Sequence, residues 1–186
     1  MKENPARKLV LNGLFIALVF LATYFTRIPT PLPGGYVNLG DAVIMLAAAL
    51  LGPAGGLIAG AVGSAIADLA AGSLLFAPVT FIVKGIEGLA VGVIITRKQA
   101  ASSGASDRQG DSGVPSHFRL VLAVAAGAII MIAGYFLAEA FILGMFDEAF
   151  GLAAAASELL PNLLQGVSSA ILAYILIIIF SRQRKV

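Results

Sequence analysis

Apolar residues fall into long, nearly unbroken runs along this chain. Runs at about Leu9 to Phe25, Phe76 to Thr96, Phe118 to Met145 and Leu159 to Ser181 each approach or exceed the roughly 20 residues that an α-helix needs to cross a hydrocarbon core about 30 Å thick. A further stretch, Val37 to Ala71, is too long for one crossing and carries Gly52, Pro53, Gly55 and Gly56 at its middle, a strong turn signal. It predicts two short helices. The pattern therefore predicts an all-α integral membrane protein with six transmembrane helices, while four spans plus a re-entrant hairpin over residues 37–71 satisfy the same parity.

The placement of charge orients these spans. Ten of the twelve Lys and Arg residues fall in three clusters: Lys2, Arg7 and Lys8; Arg97, Lys98, Arg108 and Arg119; Arg182, Arg184 and Lys185. The positive-inside rule puts all three in the cytoplasm, so both termini and the central linker are expected there, in a prokaryotic plasma membrane. Asp41, Asp68 and the group Asp147, Glu148 and Glu158 mark the opposite helix ends. Residues 1–186 then form one membrane domain, with four helices in 1–97, a cytoplasmic linker in 98–117 and two helices in 118–186. The linker is rich in Ser, Gly and Asp, with nothing to bury, and reads as a mobile loop. Arg27 closes the first run and no Ala-x-Ala site follows it, so this run is expected to stay in the mature protein.

Composition narrows the chemistry. Hydrophobic residues make up 59% of the chain and charged ones 12%, with a mean hydropathy of +0.97, which excludes an ordinary soluble domain. The chain has no cysteine and a single histidine, His117. Disulfide, thiolate-metal and zinc chemistry are poor expectations, and no metal or other cofactor is called for. Neither a Gly-x-x-x-x-Gly-Lys-Ser/Thr loop nor a His-Glu-x-x-His motif occurs, so the chain does not hydrolyse nucleotides in the P-loop manner and no enzyme is read here. The basic residues flank membrane spans, which points to lipid and not to nucleic acid.

Small residues repeat at helical spacing. Gly52, Gly56, Gly60, Ser64 and Asp68 form one ridge, Gly55, Ala59, Gly63 and Ala67 its neighbour, and Gly88 and Gly92 a third. Such stripes let helix backbones approach closely where lipid supplies no hydrophobic drive, so packing within the protein is their expected role. Gly13 and Ala17 make a similar step among the bulky residues of the first span. There, packing within the chain and docking of a partner helix both fit.

The buried polar residues carry the functional signal. Lys84 and Glu87 lie three apart inside an apolar run, where a charge is costly enough to imply a site. With the topology above they sit roughly 9 to 14 Å below the outer end of their helix, at about 1.5 Å per residue. Tyr135 and Glu139, one turn apart, and Asn162 and Gln165 fall in the outer halves of the last two spans. Asp41 and Asp68 end helices on the same side, where they serve either a ligand or, as Asp41 suits, a helix dipole. Lys84 pairing with Glu87 or Glu139 merely for neutrality is the bland reading. Both charges and neutral amides from three helices fit better with capture of a small polar or zwitterionic molecule from outside. Above this layer runs the connection Arg27 to Leu39, stiffened by Pro29, Pro31 and Pro33 and hinged at Gly34 and Gly35. It is a candidate lid that brings Tyr36 and Asn38 over the ligand.

Several of these segments share a family likeness. Tyr-Val-Asn-Leu-Gly-Asp at 36–41, Leu-Gly-Pro-Ala-Gly-Gly at 51–56, the run from Gly60 through Ser64 to Asp68, and Pro78 with Lys84-Gly85-x-x-Gly88 together resemble the substrate-binding S components of energy-coupling factor (ECF) transporters. The resemblance covers most of Leu9 to Arg97; beyond Phe118 it rests on helix count and polarity. It implies a six-helix subunit that binds a vitamin or precursor from outside beneath a lid, and docks on a transmembrane coupling subunit carried by two ATPase subunits. A small-xxx-small step on the first helix contacts the coupling subunit in that family, and Gly13 and Ala17 occupy it here, with Gly in place of the more usual Ala. Asn-Leu-Gly-Asp followed by the Lys looks most like the branch for pyridoxine-like or hydroxymethylpyrimidine-like heteroaromatics, with riboflavin the main competitor. In this reading Lys84 and Glu139 set charge complementarity, Asn162 and Gln165 read ring heteroatoms, and Tyr36 stacks on the ligand. A self-sufficient facilitator is the alternative from another class.

Overall fold

The computed structural model describes residues 5–102 and 116–183. It is almost wholly helical: α1 Pro5–Phe25, α2 Gly40–Ala71, α3 Phe76–Ser102, α4 His117–Leu137 and α5 Leu152–Gln183, with strands β1 Ile28–Pro29 and β2 Tyr36–Val37 between α1 and α2. Five helices are long and apolar enough to cross a membrane. The expected linker is shortened, because α3 continues to Ser102; the remainder of it, with Arg108, and the terminal residues Lys2, Arg184 and Lys185 lie outside the described residues.

The long element α2 is broken at Gly52, whose φ of 80° and ψ of −174° are non-helical. Only glycine takes that backbone conformation without strain, and Pro53 then starts the next helical segment, which lacks the amide that a continuing helix would use. The expected four-residue turn is thus concentrated in one residue. Residues 40–51 and 53–71 fold back on each other as a hairpin. A methyl on Gly56 would lie 2.6 Å from the Ala48 Cβ, and one on Gly60 3.0 Å from Ile44 Cγ2, separations impossible between such distant residues of one straight helix.

The glycine ridge then receives α3, running antiparallel. A Cβ on Gly56 would meet the Gly88 carbonyl oxygen at 2.6 Å, one on Gly92 would meet Pro53 Cα at 2.5 Å, and one on Gly60 would overlap the Lys84 carbonyl. Backbone therefore packs on backbone at successive turns, as the small-residue stripe predicts. Toward the other end of this seam the small apolar residues give way to Ser64, Thr80 and Asp68, all buried. One ridge thus seals one end of the bundle and lines a polar site at the other.

The remaining helices complete the bundle. α4 packs on α3 with Gly134 against Val83 and Gly127 against Val91, and α5 packs on α4 with Gly166 against Ile132 and Ala128. The main apolar core, with Val19, Ile44, Met45, Val91, Leu120 and Ile177, lies toward the end that carries the Gly52 turn. At the opposite end a smaller cluster joins Leu32 from the β1–β2 loop to Phe76, Leu143 and Phe150. Helix α1 is the least embedded, burying only Phe15, Val19 and Thr23. Large apolar side chains such as Leu14, Leu18, Ile129, Leu163 and Ile171 cover the outside, where lipid solvates them.

The glycine seam makes a direct prediction. Gly88→Val forces a side chain into the Gly56 carbonyl and is expected to cost about 1–3 kcal/mol by overpacking, read as a lower melting temperature in detergent. Gly13→Ala, with nothing within 4 Å of the added carbon, is expected to leave melting unchanged.

Candidate functional site

At the end of the bundle away from Gly52, side chains from α1, α2, α3, α4 and α5 and from the β1–β2 connection surround a cavity of about 440 Å³, mouth included. Its floor is electrostatic. Lys84 is 2% exposed and Glu87 0%; the Lys84 ammonium donates to Asp41 Oδ1 and sits 3.4 Å from Glu87 Oε2. The pairing is what makes these charges tolerable in an apolar interior, since a buried charge persists only when compensated.

From that ion cluster a hydrogen-bond chain runs upward. Gln165 Nε2 donates to Asp41 Oδ2 at 2.8 Å, and its Oε1 accepts the Asn38 amide at 2.7 Å. Asn38 Oδ1 in turn accepts the Gly40 amide at 2.8 Å, satisfying a donor that the start of α2 leaves free. One continuous set of contacts thus links α3, α2, α5 and the base of the connection above the cavity.

That connection is a small hairpin, with Ile28 opposite Val37 and Pro29 opposite Tyr36. Gly34, at φ 74°, and Gly35 make its turn, closed by Gly35 N donating to the Leu32 carbonyl at 3.0 Å. The hairpin is tied down at several points. The Tyr36 hydroxyl donates to Asp68 Oδ1, the Leu32 amide to Glu158 Oε1 at 3.1 Å, and Ser73 Oγ to the Gly34 carbonyl at 2.7 Å. Partial burial and then the adjacent Asp68 carboxylate push the Tyr36 phenol up from its ordinary range, so it remains a donor at neutral pH. Arg27 stacks 4.2 Å above the Tyr24 ring and 5.5 Å from that of Tyr36, steadying the hairpin's base.

The wall on the α3–α4 side is aromatic and hydroxylic. Thr80 Oγ1 and the Tyr135 hydroxyl are 2.8 Å apart, Lys84 Nζ lies 5.3 Å from the Tyr135 ring centroid, and Phe76 stands edge-on to Phe150 with centroids 5.6 Å apart. Helix α4 ends here in a π turn, Ala138–Ile142. The extra residue of a π turn rotates the side chains that follow, and Glu139, 3% exposed, lies on the cavity wall with Tyr135.

Of the residues expected from sequence, Tyr36, Asn38, Asp68, Lys84, Tyr135, Glu139, Asn162 and Gln165 are brought together around this cavity. Asp41 and Glu87 are not on its wall; they stand behind Lys84 and neutralise it. The amide of Gln165 is engaged at both ends by Asp41 and Asn38, so it positions its neighbours instead of offering a free group to the cavity. The Asn38 side-chain oxygen is likewise engaged, by the Gly40 amide, while the residue lines the cavity. Sequence reasoning missed Ser64, Phe76, Thr80 and, most consequentially, Glu158, which also line the cavity. Glu158 reads in sequence as a mark of the outer surface; only its position four residues before Asn162, one turn away on the same helical face, signals an inward role. Gly13 and Ala17 are exposed on α1, far from this cavity in sequence and bounded by no residue of this chain at Gly13.

Comparisons with known proteins agree with this architecture. Residues 3–182 match the family model of the ECF-type riboflavin transporter S component. An uncharacterized protein from Pyrococcus woesei is 35% identical over 154 residues, covering 83% of this chain and 88% of its own length. The UPF0397 protein YdcD of Lactococcus lactis is 37% identical over 68 residues, 37% of each chain. Among solved structures, the S component for biotin of an ECF-type ABC transporter superposes with a TM-score of 0.63 at 20% identity, covering 100% of this chain and 95% of that one, a likeness of fold. The matched family and the solved neighbour are transporter S components and not enzymes, and five long apolar helices mark this chain as a multi-pass membrane protein.

The ion cluster is expected to govern stability. Lys84→Met leaves Asp41 and Glu87 buried without a counter-charge and is expected to cost about 3–5 kcal/mol. Adding Asp41→Asn and Glu87→Gln to that variant removes the uncompensated charge and is expected to restore most of the melting temperature; a single variant as stable as the parent contradicts the assignment.

Proposed function

We propose that this chain, which belongs to the family of ECF-type riboflavin transporter S components, is the substrate-capture subunit of a prokaryotic importer in the cell membrane. The observation that carries this reading is the asymmetry of the bundle. One end holds a roofed polar cavity lined from five helices; along the other, backbone packs against backbone at Gly56, Gly88 and Gly92. Such a molecule holds a solute without offering it a path through. This favours a capture subunit over a self-sufficient facilitator, and a separate power source follows from the lack of any nucleotide-hydrolysing motif.

The topology in this reading has six crossings, the two arms of α2 counted separately, with both termini and the linker cytoplasmic and the cavity facing outward. Three observations support it: the start of α1, with Arg7 and Lys8, and the start of α4, with Arg119, lie at the end that carries the Gly52 turn; the acidic helix ends gather at the other; the arms of α2 run antiparallel. The β1–β2 hairpin acts as lid, released when its ties to Asp68, Glu158 and Ser73 open. Gly13 and Ala17, with exposed Leu14 and Leu18, form the face that meets a transmembrane coupling subunit carried by two ATPases.

The ligand is a small water-soluble vitamin or vitamin precursor, with a pyridoxine-like or hydroxymethylpyrimidine-like heteroaromatic favoured. Phe76, Tyr135 and Tyr36 offer aromatic faces, and Lys84, Glu139 and Asn162 offer charge and an amide to ring substituents. Riboflavin is the second reading, favoured by the description of the matching family model.

A thermal-shift screen of the purified protein against B vitamins and their precursors tests capture, because a ligand that binds only the folded state raises melting by mass action. One heteroaromatic vitamin is expected to give a strong shift that Glu139→Ala abolishes; no shift with any member sinks the reading. Docking is tested separately: Gly13→Leu with Ala17→Leu is expected to leave ligand binding unchanged and to abolish co-purification with the coupling subunit and ATPases.

A further inference from the structure

The charges around the cavity do not balance. Asp68, Glu139 and Glu158 line it together with one ammonium, that of Lys84, and Lys84 is already held between Asp41 and Glu87. Among the described residues no ion pair reaches Asp68, Glu139 or Glu158. Asp68 has the Tyr36 hydroxyl and Glu158 the Leu32 amide. Glu139 is 3% exposed, yet its Oε2 has no hydrogen-bond partner. Arg27, the other cation near this end, is committed to the Tyr24 carbonyl at 2.9 Å and to the two tyrosine faces.

An unpartnered carboxylate oxygen in a buried wall is costly, and a second carboxylate facing the same space raises the cost. From this we infer that Glu139 and Glu158 form a subsite for the positively charged or amine-bearing edge of the ligand. The ligand supplies the donors and the charge that the protein withholds, so the preferred class is an amino-substituted heteroaromatic over its neutral hydroxyl counterpart. Glu158 gives the subsite a second consequence. Its Oε1 holds the Leu32 amide of the hairpin, and Leu32 itself is anchored among Phe76, Leu143 and Phe150. Charge arriving at Glu158 therefore acts on the same carboxylate that ties the lid. This inference rests on the capture reading and specifies its substrate class.

The test compares matched ligands on the full-length purified protein at neutral pH by titration calorimetry. The probes are pyridoxamine against pyridoxine, and 4-amino-5-hydroxymethyl-2-methylpyrimidine against its 4-hydroxy analogue, with riboflavin as a neutral reference. The amine-bearing member of at least one pair is expected to bind about tenfold tighter or better, the weight of one charge-assisted hydrogen bond. Glu139→Gln and Glu158→Gln, each first checked for parental melting without ligand, are expected to weaken the amine-bearing member by about tenfold or more and so to erase its preference over the neutral partner. If the neutral members or riboflavin bind as tightly as the amines, or if the preference survives in both variants, the carboxylate subsite is overturned while capture stands. If neither these probes nor any other B vitamin binds, the capture reading falls and takes this inference with it.

Discussion

A single ammonium group in a membrane helix organises this molecule. Lys84 is 2% exposed within an apolar helix, and a charge there is tolerable only if the fold brings carboxylates to it. Asp41 and Glu87 do so, one from the start of α2 and one from the next turn of α3. Meeting Asp41 requires α2 to fold back at Gly52 and lay its first arm beside α3. The hairpin, the glycine seam and the position of the cavity all follow from that requirement together with the close approach that the small residues permit.

The polar network then extends the ion cluster outward. Asp41 has two oxygens; one takes Lys84 and the other takes Gln165, whose own carbonyl fixes the backbone of Asn38. The electrostatic floor is in this way wired to the base of the hairpin through one side chain. Higher up, the hairpin is held by Asp68 and Ser73 at the end of α2 and by Glu158 of α5. The cavity between floor and roof has an excess of acceptors, and most of them are carried on helices.

The two ends of the bundle divide the work. At the Gly52 end, backbones touch and leave no room; at the other, the same ridge continues as Ser64 and Asp68, and the helices part around a polar space. The π turn at Ala138–Ile142 and the 3-10 turn after it belong to this second end, where Glu139 follows Tyr135 by one turn on the cavity wall. Helix α1 stands apart, with three buried residues on one face and an apolar remainder open to lipid or to another helix.

The sequence by itself determined the membrane class, the helical runs, the break at Gly52 and the side on which polar residues collect, because each rests on local chemistry: run length against bilayer thickness, a glycine able to take positive φ, and the expense of charge in hydrocarbon. It also marked eight residues that the structure gathers around one cavity. What the tertiary structure decided was the use of each polar group. Whether Lys84 faces Asp41 or Glu139, whether Gln165 is free or engaged at both ends, and whether Glu158 lies on the surface or under the hairpin all depend on helix rotation and on pairings 43 to 127 residues apart. Spacing along one helix cannot fix these, since an amide or carboxylate on an inward face satisfies itself with whichever partner the packing of other helices brings within 3 Å or so.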